Sequence, residues 1–302
     1  MNVHDLPMVI FTVFSQMSVG TFLTLGVINL LTARRHDRHT VERVVTPALY
    51  AIGPALVFGL AVSMLHMNDV TNTFNVIRHW DSSWLSREII FGISFAAFGF
   101  LFALLEWFKK GSHVLRQVIA GIAAVLGIGL LWAESSVYAS LVSVPAWNTW
   151  VVPVQFFATA ALLGVLAVGA ALMVTTVVRQ RTELGETIAE PVPETDPEPA
   201  PAGGLMVQVR KRVEQINAPT SAAEWDLTVA VIKGMAFAGT ITSVLILAVY
   251  PLYLAELATG NAAAQASAAV FSGAIFWVRL ALAGITAIIL GFFVHRMASP
   301  AA

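Results

Sequence analysis

Seven stretches of the chain stay apolar for more than about 20 residues, the length a helix rising 1.5 Å per residue needs to cross roughly 30 Å of hydrocarbon. They run from Met8 to about Thr32, then Val45–His66, Glu88–Phe108, Leu115–Leu141, Trp150–Val178, Leu227–Leu257 and Ala269–His295. In lipid, every backbone N–H and C=O must find a partner within the protein, so a spanning segment is a helix or a strand of a closed barrel. None of the seven alternates apolar and polar residues as a barrel strand does. The expected fold class is an all-α integral membrane protein, a bundle of about seven transmembrane helices. Charge agrees: 12% of residues are charged and 57% hydrophobic, where soluble domains carry about 25% charged residues.

The loops give the orientation. Arg34, Arg35, Arg38 and Arg43 lie between spans one and two, and Lys109, Lys110 and Arg116 between three and four. Arg179, Arg181, Arg210, Lys211 and Arg212 lie between five and six, and Arg296 follows span seven, whereas the alternate loops hold only Arg78 and Arg87. The positive-inside rule then puts the N-terminus outside and the C-terminus inside. The opening MNVHDLP lacks the basic start of a signal peptide, and Arg34–Arg35 follow the first apolar run, as a charge anchor does. Thr182–Gly204 carries six carboxylates, no basic residue and repeated prolines, a composition expected to be disordered. After it Leu205, Val209, Val213 and Ile216 recur at helical spacing beside Arg210, Lys211 and Arg212. That pattern suits a short helix on the anionic inner leaflet, with membrane lipid as its partner, and equally an ordinary soluble helical turn. The expected division is residues 1–178 as a five-helix bundle carrying an outer-face site, 179–226 as a cytoplasmic linker, and 227–302 as a two-helix hairpin.

Several function classes drop out. A net charge of −1 makes no case for nucleic acid. The absence of cysteine excludes a disulfide framework, thiolate-ligated iron–sulfur clusters and c-type haem in this protein. Of seven histidines, His4, His36, His39, His79 and His113 fall in loops or the N-terminal tail, His295 ends the last span and His66 ends the second. No two face each other at one depth as b-type haem requires, and no paired Glu-x-x-His motif appears. The protein is expected to bind no haem and no metal of its own.

Chemistry concentrates in Ser63–Ile90. His66 and Glu88 stand at its two ends, each at the rim of an apolar span, where an ionisable side chain marks a functional site by default. Between them Asn68, Asp69, Asn75, Asp81, Ser83 and Ser86 are interspersed with Phe74, Trp80 and Trp84. The bland readings are that His66 caps carbonyls among headgroups and that the tryptophans form an interfacial belt. Glu134 lies in the outer part of span four, with Tyr138 one turn on. Glu256 and Arg279 sit at comparable depth in spans six and seven and are expected to pair structurally. Glu106 can reach the inner interface beside Lys109 and Lys110.

LPMVIFTVFSQMSVG at Leu6–Gly20, SMLH ending at His66, LSREI around Glu88 and VPAW at Val144–Trp147 resemble the membrane-anchor subunit of the dimethyl sulfoxide reductase family, in order and spacing across five spans. AELATG at Ala255–Gly260 and FWVRL around Arg279 extend the likeness. The resemblance implies a haem-free subunit in the bacterial inner membrane that oxidises menaquinol, with His66 and Glu88 serving the site. Electrons would pass to a four-cluster iron–sulfur subunit docked on the outer loops and then to a molybdopterin catalytic subunit. Gln16, inside the most family-like motif, is placed in the same pocket, and Glu134, Tyr138, Phe74 and Trp84 are further candidates. The family usually has eight spans against seven here, and the acidic insert is longer than its pattern implies.

Removing two electrons and two protons from a quinol needs a base poised near working pH. Neutral His66 fits that role, with Glu88 or Glu134 passing the proton outward. Two other classes stay open: a secondary transporter, whose site would lie at the midplane between broken helices, and a passive anchor in which His66 and Glu88 only dock a partner.

Overall fold

The computed structural model describes residues 6–63, 77–182, 204–216, 218–271 and 273–298. Nine α-helices lie in these residues: α1 (Leu6–Thr32), α2 (Arg38–Ser63), α3 (Trp84–Trp107), α4 (His113–Ala139), α5 (Val151–Thr182), α6 (Leu205–Ile216), α7 (Ala222–Thr259), α8 (Ala262–Val270) and α9 (Ala274–Ala298). A single 3-10 turn at Ile77–His79 precedes α3, and there is no strand among the described residues. All but α6 and α8 are long and apolar enough to cross a membrane, which makes seven spans as expected.

The ends of the helices are set by caps that hydropathy does not register. Asp37 accepts the Thr40 N–H at 2.9 Å, so α2 starts well before its apolar run. Ser221 and Glu224 form a reciprocal capping box that starts α7 early. Asn261 accepts the Ala264 N–H at 2.9 Å and nucleates α8, and Phe271 closes that helix on the Ala268 carbonyl. The last span therefore begins at Ala274, not at Ala269. The short helix α6 forms where the amphipathic pattern places it, with Leu205, Met206 and Val213 exposed. Residues 183–203, expected to be disordered, lie outside the described residues.

Helix α1 is the centre of the bundle and packs along both α2 and α5. The α1–α5 crossing is close because Gly20, Ala160 and Gly164 meet there, the small-residue contact that lets helix backbones touch in a membrane. A Cβ on Gly164 would fall on the Gly20 carbonyl and lie 2.6 Å from the Thr21 nitrogen. Helices α3 and α4 form a hairpin, α5 packs on α7, and α7 on α9; α2 and α3 touch only lightly. Val19, Phe22, Leu25 and Ile28 of α1 centre the main core. The Phe22 ring meets Phe95 edge-on at 5.8 Å and Phe102 at 5.9 Å. A second cluster gathers Val151, Tyr250, Tyr253, Leu257 and Phe276, and the Tyr253 hydroxyl donates to the Ala146 carbonyl at 2.6 Å.

The charged end of the bundle is cross-linked. Glu106 pairs with Lys109 and, at 2.9 Å, with Arg116. Glu42 pairs with Arg38 at 2.7 Å and with Lys109. Arg43, on α2, pairs with the buried Glu224 at 2.8 Å. It also donates to the main-chain carbonyls of Gln215 at 3.1 Å and Ala218 at 2.6 Å. One guanidinium thus joins α2, the end of α6 and the start of α7.

The pairing expected between Glu256 and Arg279 does not form. Both residues are exposed, and the Arg279 guanidinium lies over the Tyr250 ring, 5.2 Å from its centroid. Equal depth does not put two residues on facing sides of their helices, and here the tyrosine face takes the cation.

Candidate functional site

Polar side chains enter the bundle from four helices at the end where α3 begins. On α1, Thr12, Ser15 and Gln16 recur at the spacing of one helical face, and Ser15 and Gln16 are buried. From α4 comes Glu134, fully buried with 2% of its surface exposed. The Ser15 hydroxyl donates to Glu134 Oε1. Glu134 Oε2 is buried with no hydrogen-bond partner among the described residues. Glu88, in the first turns of α3, interacts electrostatically with both Glu134 and Tyr138. The Tyr138 ring, one turn beyond Glu134, packs against Trp147 at 5.3 Å and Phe156 at 5.7 Å, and Thr12 faces its hydroxyl. Gln16 turns to α5 and accepts the Thr159 hydroxyl at 2.7 Å. One turn before Thr159, Gln155 Nε2 is buried and also without a partner among the described residues.

Each residue is held there by local structure. Ser83 caps α3 by accepting the Ser86 N–H at 3.3 Å, which fixes where the helix begins and so where Glu88 points. Among the described residues no cation pairs with Glu88 or Glu134, and no group of three His, Cys, Asp or Glu gathers to hold a metal. What remains is a carboxyl in an apolar bundle with one hydroxyl donor and one open oxygen. Buried polar atoms are nearly always satisfied, so an open carboxyl oxygen and an open amide nitrogen mark a place for a polar ligand group or water.

Four of the residues that stand out in the sequence are therefore in this cluster: Gln16, Glu88, Glu134 and Tyr138. Trp84 is at the rim instead, under the Arg87 guanidinium at 4.2 Å. Arg87 also donates to the Trp80 carbonyl at 2.9 Å and the Asp81 carbonyl at 2.5 Å, tying down the turn before α3. His66 and Phe74 lie outside the described residues. Sequence reasoning misses Thr12, Ser15, Gln155 and Thr159. Both spans carry other polar residues, among them Ser18 and Thr21 on α1 and Thr175 on α5, so composition does not single these four out.

Fold and site together define a multi-pass membrane protein with a carboxyl-bearing polar cluster under one rim of the bundle. The family model described as "DMSO reductase anchor subunit (DmsC)" matches residues 1–189. The protein belongs to that family. Among curated proteins it is 33% identical over 156 residues to the C polypeptide of anaerobic dimethyl sulfoxide reductase from Escherichia coli, covering 52% of this sequence and 53% of that one. It is 28% identical over 169 residues to the YnfH polypeptide of anaerobic dimethyl sulfoxide reductase from Escherichia coli, 56% and 58% of the two sequences. The C polypeptide of the Haemophilus influenzae enzyme is 27% identical over 173 residues, 57% and 60% of the two. The protein thus spans between about half and three fifths of the length of these relatives. No solved structure matches it. The family match contains α1 to α5 and every residue of the polar cluster; the likeness at Ala255–Gly260 and around Arg279 lies beyond it.

Proposed function

We propose that this protein is the membrane anchor of a respiratory molybdoenzyme complex in the bacterial inner membrane, and that the Glu88–Glu134 cluster with His66 oxidises menaquinol there. The observation that carries the reading is the buried Glu134, bonded by Ser15 and open at its second oxygen, beside Glu88 in the part of the sequence that matches the anchor family. In this reading a quinol gives up two electrons and two protons and leaves as quinone. The electrons go to an iron–sulfur cluster of a four-cluster partner subunit docked at the same face, and on to a molybdopterin subunit that reduces the terminal acceptor. The protons go to His66 and leave through Glu88 or Glu134. No haem or metal of this protein takes part. The three-part division at residues 178 and 226 belongs to the same proposal.

The purified complex tests it. His66→Ala is expected to block quinol-driven turnover while the subunits stay assembled and while dyes that reduce the iron–sulfur partner directly still drive it. Full quinol turnover in the variant would leave the passive-anchor reading standing instead.

The loop charges favour the outer face for this cluster. A reporter fused after Ala302 is expected to work only in the cytoplasm, and one inserted near Asp81 only outside. The reverse pattern would overturn the orientation and with it the outward release of protons.

A further inference from the structure

Helices α2 and α3 separate over much of their length, and the gap between them is a groove of about 320 Å³. That is at the low end of the about 300–1,000 Å³ usual for small-ligand sites. Phe22 of α1, Gly53 and Leu56 of α2, and Phe95, Gly99 and Ala103 of α3 line it. Phe100 and Leu104 on its rim are exposed, so it opens sideways toward lipid. Gly99 leaves room that no neighbour fills, for a Cβ there would meet nothing within 4 Å. Apart from the Tyr50 hydroxyl and the Trp107 indole at its far end, the lining is apolar and suits a hydrocarbon tail.

Its position says which tail. The groove runs along α3, whose first turns carry Glu88 of the proposed site. Glu88 and Phe95 are two turns apart on one face of α3, roughly 10 Å along the axis. A molecule whose head sits at Glu88 and Glu134 therefore has the groove directly beneath it. A quinol has that shape: a redox-active aromatic head and a long, flexible, branched apolar tail that must leave the pocket without crossing the core.

We propose that the α2–α3 groove receives the polyprenyl tail of the quinol whose head the Glu88–Glu134 cluster holds; this rests on the quinol site proposed above.

The test compares two donors on the detergent-solubilised complex: a naphthoquinol with a polyprenyl tail, and the tail-less 2-methyl-1,4-naphthohydroquinone. Gly99→Phe fills the groove without touching the polar cluster, and Gly99→Ala leaves it open. For Gly99→Phe, KM for the tailed donor is expected to rise at least about tenfold, the scale on which a blocked apolar pocket discriminates. KM and kcat for the tail-less donor should stay as in the wild type, and Gly99→Ala should match the wild type with both. If Gly99→Phe treats the two donors alike, whether by changing neither or both, the groove assignment is wrong; a groove occupied by a phospholipid tail gives that result. Should Gly99→Phe fail to assemble, Ala103→Leu makes the same comparison. If the wild-type complex oxidises neither donor, the quinol reading itself fails, and the groove assignment falls with it.

Discussion

Glu134→Gln is expected to cut quinol-driven turnover about 10²–10⁴-fold, the usual loss when a group that moves a proton in the reaction is disabled. The substitution keeps the shape of the side chain, and an amide oxygen can still accept the Ser15 hydroxyl that now bonds Glu134 Oε1. What disappears is the capacity to take up and release a proton at the open Oε2 position. Glu88→Gln is expected to give the same split, because the charge of Glu88 is felt by both Glu134 and Tyr138. In both variants the complex should reach the membrane intact and respond normally to dyes that feed the iron–sulfur partner. The informative pair of measurements is therefore quinol-driven against dye-driven turnover on one preparation. Equal losses in both would mean that the carboxyls hold the fold or the partner, not the proton.

The second large effect concerns the backbone contact beneath that polar cluster. Gly164→Leu is expected to leave little folded protein in the membrane. A Cβ at this position falls on the Gly20 carbonyl and the Thr21 nitrogen of α1, atoms that cannot swing aside as a side-chain tip can. Overpacking of an ordinary core costs about 1–3 kcal/mol; here the two helices themselves must part. Parting them also pulls Thr159 from Gln16, whose 2.7 Å bond lies about one turn away on the same helix pair. Gly121→Leu is the control, since a Cβ there meets nothing within 4 Å. The amount of protein in the membrane and its thermal stability in detergent decide the matter. Normal levels of Gly164→Leu would show that α1 and α5 do not cross this closely.

Both sites differ in how far the sequence announces them. Glu134 stands out in an apolar span because an ionisable group in lipid is costly, and Gln16 stands out within its motif. Ser15 and Thr159 do not, because in a membrane helix a hydroxyl ordinarily bonds its own backbone. Both lie within reach of such a carbonyl here, Ser15 of Thr12 at 3.0 Å and Thr159 of Gln155 at 2.7 Å, so the single proton of each is shared between its own backbone and the facing helix. Nothing local distinguishes a hydroxyl that reaches across from one that does not. The same limit explains Glu256 and Arg279. Hydropathy reports how deep a residue sits, whereas pairing depends on the rotation of each helix about its axis, which only packing fixes. The helix starts at Arg38, Ala222 and Ala262 are obscured for another reason, since caps act through single polar residues, Asp37, Ser221 and Asn261, outside the apolar runs.

The Arg43 contact at the other end of the bundle bears on which substitutions the protein tolerates. Arg43 grips two main-chain oxygens, at Gln215 and Ala218, and a single carboxylate at Glu224. Main-chain oxygens are supplied by any amino acid, so the side chains at positions 215 and 218 are free to drift through mutation without loosening the joint. Arg43 has no such freedom. A lysine there would bring a compact point charge in place of a planar fork, unable to reach both carbonyls and the carboxylate together. Variation in this stretch should therefore be permissive along the gripped backbone and intolerant at the gripping residue.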